Sequence, residues 1–279
     1  MLNIRRAAVA GTWYPGSAAA LARAVDDHLS RAGGDLDDRF ESLVALIAPH
    51  AGLMYSGPVA AYAYGLLRDR TFDVIVLVGP SHFVGFDGVA IQRAGGFQTP
   101  FGVAPIDEAC AADIMKAAPI VHERVGAHAR EHSLEMQLPF VQRVAPGASI
   151  VPLVMGHQSA ETARALGDAL ATALAGRRAL LVASTDLSHY HDAAAAARLD
   201  RVVIDHVSRF DADGLQHALD RTPDRACGGG PTVAVMRAAR ALGARDALVL
   251  KYADSGDVSG DKSSVVGYMA AAFGTMRER

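Results

Sequence analysis

Residues 72–82, FDVIVLVGPSH, constrain the fold of this chain more than any other stretch. The apolar run 74–78 is too short for an independent helix and rich in β-branched side chains, which predicts a strand buried on both faces, as in a parallel sheet. Gly79 and Pro80 end the run, so Ser81 and His82 stand just beyond its carboxyl end. That edge of an open α/β sheet is where ligands and catalytic groups collect. The design recurs twice. An apolar strand over 43–48 runs into Pro49-His50-Ala51-Gly52, and another over 179–183 runs into Ser184-Thr185-Asp186-Leu187-Ser188-His189.

Helical patterns fill the intervals. Ser17 caps a helix reaching about residue 32, with Leu21, Val25 and Leu29 on one face. Ser56-Gly57-Pro58 opens a second. Further helices are expected over 107–117, 160–175, 193–209, 212–220 and 232–242, and over 131–144 with Pro139 as a kink. Strands are expected at 88–92, 150–155, 247–252 and 265–273, and loops at GGDLDD (33–38) and in the glycine-rich stretch 94–102. This alternation predicts an α/β fold, a three-layer α/β/α sandwich around a mostly parallel central sheet. A chain of 279 residues fits one such domain spanning residues 1–279.

A formal net charge of -3 provides no basic field, so nucleic acid is not an expected partner. No stretch resembles an export signal and no apolar run is long enough to span a bilayer, so no membrane partner is expected either. The two cysteines, Cys110 and Cys227, make no disulfide framework, which points to a reducing cytoplasm.

The three strand ends deliver His50, His82 and the pair Asp186 and His189 over one sheet edge. Two histidines and a third anionic ligand, with open positions for substrate and oxygen, suit a non-haem Fe(II) centre. If the turn after Asp186 is helical, Asp186 and His189 share a face, and the carboxylate orients the imidazole as a general base. Cys227 lies between Ala226 and three glycines, a polar setting that separates it from Cys110 in its alanine-rich helix. It reads as a metal ligand or as a nucleophile activated by His189. His132 and Glu135, one turn apart, are pocket candidates, and Glu131 reads as a carboxylate at a helix start. The segment EHSLE lacks the second histidine of a zinc HExxH motif. His28, His122, His128, His157, His206 and His217 read as surface or loop residues. No P-loop, dinucleotide fingerprint or Gly-x-Ser-x-Gly elbow occurs.

Taken together and in order, VAGTWYPG, APHAGLMYSG, VLVGPSH, EHSLEMQLPF, STDLSHY, ACGGGP and YADSGDVSGDKSSVVGYMA resemble the Memo family, from about residue 5 to residue 273. Memo proteins are similar in fold to the catalytic subunit of class III extradiol ring-cleavage dioxygenases. The resemblance implies metal ligands at His50, His82 and Cys227, with Asp186 and His189 lining the same pocket and a small-molecule or peptide ligand within it. The ring-cleaving enzymes use a glutamate as third ligand. A thiolate in its place is softer, so the resemblance implies iron as Fe(II), with copper as the alternative. It also implies partners from a radical-SAM system, and either redox turnover or a non-catalytic iron-, copper- or partner-binding role.

Overall fold

Continuous apolar runs become central strands because a strand covered on both faces has no side to give to water. The computed structural model describes residues 3–33 and 39–277, so most of the GGDLDD loop lies outside the described residues. The strands are β1 (Ile4–Arg5), β2 (Phe40–Ala48), β3 (Val74–Pro80), β4 (Val89–Ile91), β5 (Gly96–Thr99), β6 (Gly102–Pro105), β7 (Val121–Glu123), β8 (Ser149–Met155), β9 (Ala179–Ser184), β10 (His189–His191), β11 (Asp246–Asp254) and β12 (Val265–Met276). Every residue of β3 is buried. It lies between β9 and β8, with Val76 opposite Leu181 on one side and Val151 on the other.

The four strands β2-β9-β3-β8 form a parallel centre, but the whole sheet is mixed, not mostly parallel. β12 runs antiparallel to β2, and β11 and β10 run antiparallel to β12. At the other side β4 runs antiparallel to β8, with β7 parallel to β4. The segment joining β11 to β12 is too short for the crossover that parallel neighbours require, so that pair is antiparallel.

Helices Ala18–Arg31, Leu53–Gly65 and Leu138–Val144 make one outer layer, and Glu108–Ala117, Ala160–Leu174, Ala193–Ser208, Ala212–Arg221 and Gly229–Ala241 the other. The three-layer α/β/α sandwich is therefore present. Ser17, Asp107, Ser159, Asp192 and Asp211 each cap a helix by accepting the backbone N–H three residues on.

Local expectations fail in four places. The glycine-rich stretch 94–102 is a hairpin, β5 and β6, against which β1 lies parallel. The second helix begins at Leu53 and holds Pro58 inside it. Only a short 3-10 turn, Glu135–Gln137, and Leu138–Val144 are helical within 131–144, with Pro139 in the opening turn of the latter rather than at a kink. His128 is buried at 1 % exposure rather than lying on the surface. Among the described residues no helix is long and apolar enough to cross a membrane.

Candidate metal centre

Parallel pairing fixes where the strand ends deliver their side chains. β9 lies between β2 and β3, so His50 and His82 emerge on either side of Ser184 and Asp186. His50 is 1 % exposed. Its backbone N–H donates to Asp186 Oδ1 at 2.7 Å, its Nδ1 lies 2.9 Å from Ser184 Oγ, and its Nε2 lies 3.2 Å from Cys227 Sγ. Burial, with the neighbouring imidazoles of His82, His132 and His189, holds it neutral well below the usual histidine range.

His82 is held by a carboxylate. Glu131 accepts its backbone N–H at 2.6 Å and faces its Nδ1 at 2.9 Å. Because the carboxylate only accepts, Nδ1 carries a proton, and in the neutral ring Nε2 is the nitrogen left with a lone pair. The same carboxylate accepts the N–H groups of His132 and Ser133, both at 2.9 Å. Burial pushes the Glu131 carboxyl up, but the His82 hydrogen bonds and charge outweigh it and leave the group at about 2. Glu131 is the site residue that sequence reading missed. It heads no helix, and nothing in its spacing reveals a partner 49 residues earlier.

His132 stacks on His82 with ring centroids 4.5 Å apart and lies edge-on to His50 at 5.6 Å. Trp13 and Phe83 close its other sides, at 4.4 Å and 5.8 Å. Burial, then the His82 charge, lowers it to about 4. Each of His50, His82 and His132 offers a ring nitrogen within 4.8 Å of the others. His132 thus belongs to the central cluster rather than to its margin. Cys227 is placed against His50 and outside that three-membered group. Its sulfur also accepts the Asp186 N–H at 3.3 Å, and burial pushes the thiol well above its usual range.

Two glycines admit these loops. A Cβ on Gly79 would come within 2.8 Å of Ser133 Oγ and Leu134, so its absence lets the 131–134 loop settle over β3. A Cβ on Gly228 would meet the Ser184 carbonyl at 2.4 Å, so only glycine lets the Cys227 loop close on β9.

The other expected residues divide. His189 reaches the same cleft, but Asp186 does not orient it. Residues 185–188 form no helix, and the Leu187 carbonyl accepts from His189 Nδ1 at 2.8 Å instead. Burial lowers His189, a carbonyl being a weaker support than a carboxylate. Asp186 serves the backbone of His50 and Ala51, and burial pushes it up to about 7. Ser81 Oγ donates to the Val84 carbonyl and forms a turn. Glu135 points away from the cluster. It pairs with Arg5 and accepts from the N–H groups of Ala8 and Val9 and from Tyr14 Oη, at 2.8, 3.1 and 2.6 Å.

A cleft of about 540 Å³ is walled by His82, His189, Tyr190, Pro223, Asp224 and Cys227. A second cavity of about 700 Å³ is lined by Trp13, Met54, Tyr55 and His28, so it adjoins the histidine cluster through Trp13. Imidazole donors with oriented second partners, beside a thiol and an open cleft, are a donor set that suits iron, copper or zinc.

The chain has relatives among known proteins. The chain matches the family described as Memo-like protein over residues 5–272. It is 40 % identical over 273 residues to a MEMO1 family protein of Methanothermobacter thermautotrophicus, covering 95 % of this chain and 98 % of that one. Its identity to MEMO1 family proteins of Methanosarcina mazei and Methanopyrus kandleri is 39 % and 37 %, each over 96 % of this chain and 98 % of the relative. The chain belongs to the Memo family.

Proposed function

We propose that this Memo protein binds one metal ion, iron as Fe(II) with copper as the alternative, on His50, His82 and Cys227, and acts as a dioxygenase-like redox enzyme. The observation that carries the reading is the meeting of separate strand ends and loops at one point, where imidazole nitrogens lie within 4.8 Å of each other and a thiol touches one of them. A metal held there supplies redox chemistry toward dioxygen. A small-molecule or peptide ligand occupies the adjoining cleft. His189, whose Nδ1–H is committed to the Leu187 carbonyl, turns its free Nε2 to a proton of that ligand.

The grouping of His132 with His50 and His82 favours a second ligand set, all histidine. Anaerobic reconstitution followed by metal analysis separates the two. Wild type takes up about one Fe(II) per chain, and His82→Ala loses it under either set. Loss in Cys227→Ser with retention in His132→Ala supports the thiolate centre; the reverse supports the all-histidine one. Unchanged metal content in His82→Ala refutes both. Oxygen uptake with a panel of catechols then tests turnover: consumption that needs iron and His189 supports the enzyme. Binding without consumption makes the chain a metal- or partner-binding protein.

A further inference from the structure

Behind His50 lies a buried chain of polar groups that fixes where its proton sits. Gln137, Ser184 and Tyr64 are each fully buried, so water cannot rescue an unmade bond. The Pro49 and Ser133 carbonyls are acceptors only, and each meets one member of the chain. Gln137 Nε2 lies 3.0 Å from the Pro49 carbonyl and 2.7 Å from Ser184 Oγ, and Tyr64 Oη donates to Gln137 Oε1 at 2.9 Å. An amide turned the other way would set two carbonyl oxygens against each other, so the orientation of Gln137 is forced. Ser184 Oγ lies 2.7 Å from the Ser133 carbonyl, which consumes the only proton the hydroxyl has. Its two lone pairs remain. One accepts from Gln137, and the other faces His50 Nδ1 at 2.9 Å. That contact is a hydrogen bond only if His50 carries its proton on Nδ1.

We infer that Ser184, steered by Gln137 and the Ser133 carbonyl, is a positioning residue that locks His50 in the Nδ1–H tautomer and keeps Nε2 bare toward Cys227 and the cleft. The lock follows from the bonding capacity of neutral groups and involves no charge. Its use, presenting a lone pair to a metal, rests on the proposed metal centre. The two protein-held imidazoles thus reach the same tautomer by different means: a carboxylate holds His82, and a saturated hydroxyl holds His50.

Long-range 1H–15N correlation spectra of the full-length, metal-free chain test the lock directly. The expected wild-type pattern for His50 is a protonated Nδ1 and an Nε2 at the shift of a bare imine nitrogen. Ser184→Ala is expected to convert this to a mixture of tautomers and to weaken Fe(II) binding about 10–100-fold, with Ser184→Thr, which keeps the hydroxyl, restoring both. An Nε2-protonated His50 in wild type, or an unchanged spectrum in Ser184→Ala, overturns the inference. The wild-type spectrum decides the assignment even if Ser184→Ala does not fold. A tautomer that shifts while Fe(II) affinity stays put upholds the lock and removes the metal centre it was argued to serve.

Discussion

Glu131 and Glu135 stand four residues apart in one buried loop, at 2 % and 0 % exposure, and they face opposite partners. Glu131 turns to His82 and to the N–H groups of its own loop; Glu135 turns to Arg5, Tyr14 and the backbone of residues 8 and 9. Arg5 is nearly as buried and also donates to the His128 and Glu131 carbonyls. One carboxylate therefore orients an imidazole at the centre, and the other fastens the amino-terminal segment to the loop that carries the centre. Two residues of one type, one turn apart, separate into chemistry and scaffolding only through what lies opposite them.

The largest effect belongs to the scaffold side. Glu135→Ala leaves the Arg5 guanidinium buried without its counter-charge, which is expected to cost about 3–5 kcal/mol in denaturant unfolding. Chains that still fold are expected to keep their Fe(II) stoichiometry. A stability change under 1 kcal/mol (roughly that of an exposed pair) would erase the distinction.

Acid acts on the scaffold side as well as on the centre. Burial, then the nearby Arg5 charge, holds His128 at about 4, against 6.5 for an ordinary histidine. The unfolded chain therefore binds the proton first. The stability this neutral ring contributes is complete above about pH 6.5 and falls away as pH drops to about 4, by up to about 3 kcal/mol. Equilibrium unfolding from pH 7 to 4 in wild type and His128→Leu checks this. The slope over that window is expected to shrink in the variant, and equal slopes refute the assignment.

Much of this was legible in the chain, for physical reasons that also mark where legibility stops. The strand β3 declared itself because a strand buried on both faces needs an unbroken apolar run, and Ser17 marked a helix start because a cap acts on its own next turn. His50 and His82 were readable as strand-end residues. The mixed sheet was not, since the direction of β4 and β12 depends on partners far away in sequence. Glu131 and Glu135 exchanged roles for the same reason: periodicity places both on one helix, of which only the part from Glu135 onward forms, and their partners are 49 and 130 residues distant. The support assigned to Asp186 failed because the Leu187 carbonyl, two residues from His189, reaches the ring first.

On the chemical side, Glu131→Gln is the sharper probe because it keeps the shape and removes the charge. The carboxylate accepts four N–H groups, from His82 twice and from His132 and Ser133. An amide presents an NH2 group to one of those donors and leaves it unpaired, at about 1–3 kcal/mol. The weakened support of His82 is expected to lower Fe(II) affinity about 10–100-fold, read by competition with a chelator. Lost stability with unchanged affinity would move Glu131 to the scaffold side with Glu135.

The smallest effect discriminates between the ligand sets. Trp13 is 38 % exposed, and its ring lies 4.4 Å from His132, tilted by 52°. Its backbone is fixed independently, with N–H donating to the Val9 carbonyl and its own carbonyl accepting from Leu53. Trp13→Ala therefore removes a wall of the His132 ring without loosening the segment, at about 0.5–1.5 kcal/mol for an aromatic contact. His50 and His82 take their orientation from Ser184 and Glu131. With Cys227 as third ligand, Fe(II) affinity is expected to stay within a factor of about three, a change worth under 1 kcal/mol. A tenfold loss would mean that the centre depends on how the His132 ring is held, and would shift the third ligand from the thiol to His132.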